Sequence, residues 1–197
     1  MSIQNVPIPV PAEVMATPRP TSLTKRLIWI VLAVVALFIF AYLLAWVNSS
    51  RLANEFYSSA EASYQEGRYL DALIGYDEID PITNTRTAHG GYYQVTRLWG
   101  NKGALPKPAN YTHSVSQIDE IIQQKLDIST AEAFIQMYTG RSHPYFPDIY
   151  LRLGHLYEES GDKQTALEIY KECAKLFPTR PDITQAAIDQ LDRLGVN

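Results

Sequence analysis

The sequence predicts an all-α protein: one transmembrane helix near the N-terminus, then a small solenoid of helical hairpins closed by a capping helix. Three observations carry this. The run "LIWIVLAVVALFIFAYLLAWV", Leu27 to Val47, holds no charge. As a helix it is about 31 Å long, close to the roughly 30 Å hydrocarbon core of a bilayer. The run "YLRLGHLYEESGDKQTALEIYKECAKLFP", Tyr150 to Pro178, places apolar and small residues at helical spacing on both sides of a glycine turn. No stretch alternates clearly enough to be read as a strand.

Residues 1–24 carry Pro7, Pro9, Pro11, Pro18 and Pro20. That spacing opposes a helix and favours a disordered tail. The span, residues 27–47, has Trp29 near one end and Tyr42 and Trp46 near the other, where interfacial aromatics belong. A cleaved signal peptide is the rival reading, with Val47-Asn48-Ser49 as a weak cleavage site. The apolar run exceeds the roughly 7–15 residues of a signal h-region, which favours an uncleaved signal anchor. Arg19, Lys25 and Arg26 precede the span and only Arg51 lies close behind it. The positive-inside rule then puts the tail in the cytoplasm and residues 50–197 outside it, on a cell (inner) membrane.

After the span, "FYSSAEASYQEGRYLDALIGYDEIDP" reads as a first hairpin turning at Gly67, its second helix carrying Ala72 and Tyr76 and stopping by Pro81. No Pro or Gly lies between Val47 and Gly67, so the membrane helix is expected to run on into this hairpin. The middle, residues 87–146, is out of phase with any regular repeat. "HGGYYQVTRLWG" reads as a helix ending at Gly100, and "NKGALPKPANYTHS" as a loop. "SQIDEIIQQKL" carries Ile118, Ile121, Ile122 and Leu126 at helical spacing. "STAEAFIQMYTG" opens with a capping-box pattern, Ser129-x-x-Glu132, and "RSHPYFP" reads as a connector.

In the second hairpin Tyr150, Leu153, Gly154 and Tyr157 share one helical face, Gly161-Asp162 makes the turn, and Ala166, Ile169, Tyr170 and Cys173 share the facing side. Gly154 and Ala166 are small where the two helices must approach. "PDITQAAIDQLDRLG", residues 181–195, reads as the capping helix that a solenoid needs. The pattern Tyr150-x2-Leu153-Gly154-x2-Tyr157, Ala166-x3-Tyr170, Pro178 resembles the tetratricopeptide repeat (TPR), W-x2-L-G-x2-Y, A-x3-F, P over about 34 residues. Tyr150 and Tyr170 stand where that family often has Trp or Phe. The resemblance extends more loosely to residues 53–86, with Ser59 and Ser63 departing from the pattern, and frames the second repeat as residues 147–180.

The composition excludes several function classes. The formal net charge is -4, and no basic stripe points to nucleic acid. The single cysteine, Cys173, excludes an intrachain disulfide framework and a cysteine-rich metal site. His89, His113, His143 and His155 are scattered, without metal-ligand spacing. No P-loop or dinucleotide fingerprint occurs. These readings imply no enzyme, no cofactor, no metal and no small-molecule substrate.

What the TPR resemblance implies is protein binding. In that family the first helix of each repeat lines a concave groove. The corresponding stripe here is Asn54, Tyr57, Glu61, Tyr64 and Gln65 in the first repeat, and Asp148, Leu151, His155, Glu158 and Glu159 in the second. The Lys and Asn with which chaperone-binding members clamp a C-terminal carboxylate are missing, with Leu151 and His155 at two such positions. The stripe is acidic and aromatic, suited to a polar or basic segment. The reading is a membrane-anchored scaffold, adaptor or assembly factor whose partners are other proteins and, through residues 27–47, the lipid bilayer. The alternative is a stably bound accessory subunit of a large membrane complex.

Overall fold

A computed structural model of the chain describes residues 22–195. The Pro-rich tail expected over residues 1–24 lies outside the described residues as far as 21. Its last positions instead open the first helix, α1 (Ser22–Gln65). The chain divides into two units, residues 1–45 and Trp46–Asn197.

In the first unit the described residues are all helical. It presents large apolar side chains around its whole circumference, among them Trp29 and Phe38, each 72% exposed. This helix, apolar all round and exposed among the described residues, is long and apolar enough to cross a membrane.

The second unit is a stack of short helices. The end of α1 turns at Gly67 into α2 (Tyr69–Ile74). A two-stranded antiparallel hairpin follows, β1 (Tyr76–Ile79) and β2 (Arg86–His89), with Tyr76 opposite His89 and Ile79 opposite Arg86. Then come α3 (Tyr92–Trp99), α4 (Ala109–Glu120), a π-helical turn (Ile121–Lys125), α5 (Ile128–Tyr138), α6 (Phe146–Glu159), α7 (Lys163–Leu176) and α8 (Pro181–Arg193). The architecture is helical, as the sequence predicts, and the β-hairpin is a correction to the expectation of no strand.

The hairpin exists because α2 stops after six residues. Gly75 takes φ 76, a left-handed conformation that ends the helix. A Cβ on Gly75 would lie 2.4 Å from the His89 carbonyl oxygen, and one on Gly91 would lie 2.4 Å from the Gly75 nitrogen. Only glycine permits this backbone-to-backbone approach at the hairpin base. Gln94 seals it: its side-chain oxygen accepts from Gly91 N at 2.8 Å, and its amide donates to Ile74 O at 2.6 Å. At the far end the Asp80 carboxylate accepts from Ile82 N and Thr83 N, an Asx turn. The second helix expected to carry Tyr76 is therefore replaced by a strand from Tyr76 onward.

The middle segment contributes to the main core. Ile118, Ile121, Ile122, Leu126, Ala131 and Phe134 pack with Ala60, Ala72, Leu73, Tyr92, Ile149 and Leu153. The cap of α5 is Asp127, whose carboxylate accepts from Thr130 N at 2.7 Å. This replaces the box expected at Ser129. The predicted helix ending at Gly100 is α3, and the predicted capping helix is α8, whose Ile183 and Ala187 pack with Cys173 of α7.

Candidate interaction surface

The α6–α7 hairpin is built on one close contact. A Cβ on Gly154 would lie 2.5 Å from Tyr170 Cε1, so the ring packs directly against bare backbone. Tyr170 and Ala166 are fully buried, and the Tyr170 hydroxyl reaches back to donate to Glu158 at 3.1 Å. Burial raises the Tyr170 hydroxyl pKa, and the Glu158 carboxylate raises it further. Asp162 caps α7, accepting from Thr165 N. Cys173 is buried, and burial pushes its thiol up to about 12, which leaves it without thiolate character at neutral pH.

The first predicted stripe is occupied by the chain itself. Asn54 accepts from the Asn110 side-chain amide at 2.7 Å. Tyr57 meets Tyr92 edge-on at 5.9 Å and His113 at 5.7 Å. The Tyr92 hydroxyl donates to Glu61 at 2.9 Å, and burial raises its pKa first, the Glu61 carboxylate second. Tyr64 donates to Glu120 at 2.6 Å, and this bond holds the Glu120 carboxylate below its ordinary range. Gln65 bonds back to Glu61. So α3 and α4 engage Asn54, Tyr57, Glu61 and Tyr64. Gln65 stays exposed.

The second stripe runs beside α8. Arg180, just before α8, donates to both Asp148 oxygens, at 3.0 and 3.1 Å. Leu151 packs on the Cys173, Ile183 and Ala187 cluster. Arg193 of α8 bonds Glu158 and lowers its carboxylate pKa. Glu159, largely exposed, pairs with Arg152 at 2.7 Å. Between these helices lies an open cleft of about 390 Å³ lined by His155, Glu158, Glu159, Gln190 and Arg193. His155 faces Tyr170 at 5.7 Å, its Nε2 is buried without a partner, and burial lowers its pKa. The two stripes share no hydrogen-bonding or ring-stacking partner among the described residues.

Sequence reasoning missed His143. In the connector before α6 it is 6% exposed and ringed by Tyr93, Phe134, Tyr138 and Tyr145, with centroids 4.4–5.9 Å away. Burial lowers its pKa to about 4. The only hint was the density of aromatics around it, in "YY" at Tyr92, and in Phe134, Tyr138, Tyr145 and Phe146.

Among the described residues no group of three His, Cys, Asp or Glu could hold a metal ion. Residues 147–180 match the tetratricopeptide repeat family, a segment that covers α6, α7 and the turn into α8. No solved structure matches the chain. A TPR-like helical hairpin is consistent with a protein–protein interaction module.

Proposed function

We propose that this chain is a membrane-anchored scaffold or assembly factor that holds a protein partner beside the bilayer. The observation that carries the reading is the TPR-like hairpin of residues 147–180, on a chain that also contains one helix able to cross a membrane. Helical units of this kind present extended surfaces for other proteins. The excess of Arg19, Lys25 and Arg26 over Arg51 supports a cytoplasmic N-terminus and an extracytoplasmic helical unit. Of the ten stripe residues, those lining the cleft between α6 and α8 are the best placed to meet a polar or basic segment, with Glu159 at its rim.

Protease added to spheroplasts tests the topology: the helical unit is digested while a cytoplasmic control survives. Digestion only after lysis reverses the orientation. Glu159→Lys tests the surface, because its carboxylate is largely exposed. Partner capture weakens in the variant, and added salt weakens it in the wild type. Capture indifferent to both moves the surface off this cleft. A partner that co-purifies in constant ratio after mild detergent extraction makes the chain a subunit rather than an adaptor.

A further inference from the structure

We propose that the loop between α3 and α4, residues 100–108, docks on anionic phospholipid headgroups of the bilayer. The inference rests on the membrane reading above and adds to it a second lipid contact, made by the helical unit itself.

The first observation is positional. The Trp46 indole N–H donates to the Pro106 carbonyl at 3.0 Å, and its ring meets Trp99 edge-on at 5.9 Å. Trp46 is next to last in the apolar run 27–47. At the end of a membrane span an indole sits at headgroup level. A loop hydrogen-bonded to that indole sits at the same level.

The second observation is charge. Between Asp80 and Asp119 the chain has no acidic residue, yet it has Arg86, Arg97, Lys102 and Lys107, in a protein of net charge -4. Arg97, Lys102 and Lys107 are exposed, and among the described residues no carboxylate forms an ion pair with them. Lys107 lies over the Tyr111 ring at 4.2 Å, which leaves its outer side available to phosphate.

The third observation is shape. Leu105 lies between the two lysines and is 59% exposed. Asn101 holds the turn before it, its side chain accepting from Gly103 N at 3.0 Å and its carbonyl from Ala104 N at 3.1 Å. An apolar tip on a braced turn, flanked by cations, fits the boundary between headgroups and acyl chains. Another exposed apolar tip of this unit, Ile82, follows Asp77, Glu78 and Asp80, which an anionic surface would repel.

The test uses the full chain in vesicles, with a nitroxide on Leu105→Cys and, separately, on Val35→Cys. Cys173 is buried and stays unlabelled. Accessibility to oxygen against a polar nickel chelate reads the depth of each label. In vesicles containing phosphatidylglycerol the label at 105 reads interfacial. In phosphatidylcholine alone, or with Lys102→Glu and Lys107→Glu, it becomes aqueous, each lysine lowering the docked-to-undocked ratio about fivefold. An aqueous label at 105 with a buried label at 35 overturns this inference and leaves the anchor standing. An aqueous label at 35 removes the anchor and the inference together. Depth at 105 that ignores lipid charge overturns the headgroup contact. Dipolar broadening between aqueous labels puts a second copy of the chain there and overturns it as well.

Discussion

The turns at Gly67 and Gly161 are built alike, and the helices that follow them differ in length, 6 residues in α2 and 14 in α7. In the first, Gly67 N donates to Tyr64 O and Arg68 N to Ser63 O. In the second, Gly161 N donates to Glu158 O and Asp162 N to Tyr157 O, the same bonds at the same offset. Gly67 and Gly161 both take positive φ, 76 and 92. The next residues also agree: Arg68 has φ -84 and ψ 68, and Asp162 has φ -81 and ψ 73. Along the backbone the difference begins eight residues past each glycine. Ile169 continues α7 and is buried, whereas Gly75 ends α2 and starts the β-hairpin. The partners then diverge. Tyr170 closes on Gly154, while Tyr76 stacks on His89 at 4.6 Å and has the Arg68 guanidinium over its ring at 4.8 Å. A shared turn fixes how two helices begin to pair. Gly75, with Gly90 and Gly91 close against it, ends the first pairing early.

The largest expected effect exchanges those two residues. Ile169→Gly removes a buried side chain and weakens a helix interior, at a cost of about 3–6 kcal/mol. It creates no β-hairpin, because α7 lacks the facing glycines that Gly90 and Gly91 supply at the first site. Gly75→Ile cannot hold a positive φ with the His89 carbonyl 2.4 Å from its Cβ position. Hydrogen exchange then shows lost protection at the amides of β1 and β2, with α6 and α7 unchanged. Retained protection in β1 and β2 would show that the hairpin does not depend on the glycine.

This difference marks what the sequence could reveal. The second hairpin was legible because its signal is local: six positions at fixed helical spacing within one stretch. Glycine at position 75 was visible too, but its meaning depends on Gly90 and Gly91, a non-local approach that periodicity does not encode. The same holds for the first stripe. Helical phase places Asn54, Tyr57, Glu61 and Tyr64 on one stripe. It could not say that α4, more than forty residues later in the chain, supplies Asn110, His113 and Glu120 to that face. His143 was unreadable for the same reason, since its ring of aromatics is gathered from α3, α5 and the connector.

The second effect sharpens the comparison through that connector, which joins α5 to the second hairpin. The folded pKa of His143 lies near 4, below its ordinary 6.5, because burial disfavours the imidazolium. The unfolded chain therefore binds the proton first. The stabilisation is fully present above pH 6.5, is lost as pH falls toward 4, and amounts to up to about 3 kcal/mol. Denaturant melts at a series of pH values should show this slope in the wild type and a shallower one in His143→Phe. Equal slopes would assign the pH dependence to other groups.

A smaller effect is expected inside the helix pair itself. Gly154→Leu drives a side chain into the Tyr170 ring and costs about 1–3 kcal/mol. The corresponding residue of the first hairpin is Ala60, fully buried, and Ala60→Leu is expected to cost a similar amount. Thermal melts of the full chain in mild detergent compare the two. A silent Gly154→Leu would remove the close contact from the account of why this hairpin forms.

The smallest effect tests whether the two turns are energetically as alike as their hydrogen bonds. A Cβ on Gly67 or on Gly161 meets nothing within 4 Å, so alanine at either position adds no clash. What remains is the strain of an L-residue held in the left-handed region, about 1–2 kcal/mol. Because φ and the bonded carbonyls correspond, Gly67→Ala and Gly161→Ala should lower the melting midpoint equally, although the helices that follow differ in length. Equal shifts also require both hairpins to unfold in one cooperative transition, since a hairpin that opens earlier would report its strain elsewhere. If Gly161→Ala shifts the midpoint and Gly67→Ala does not, the first hairpin is already open when the second melts. Its short α2 and exposed β-hairpin would then be a separately unfolding element rather than part of the stack.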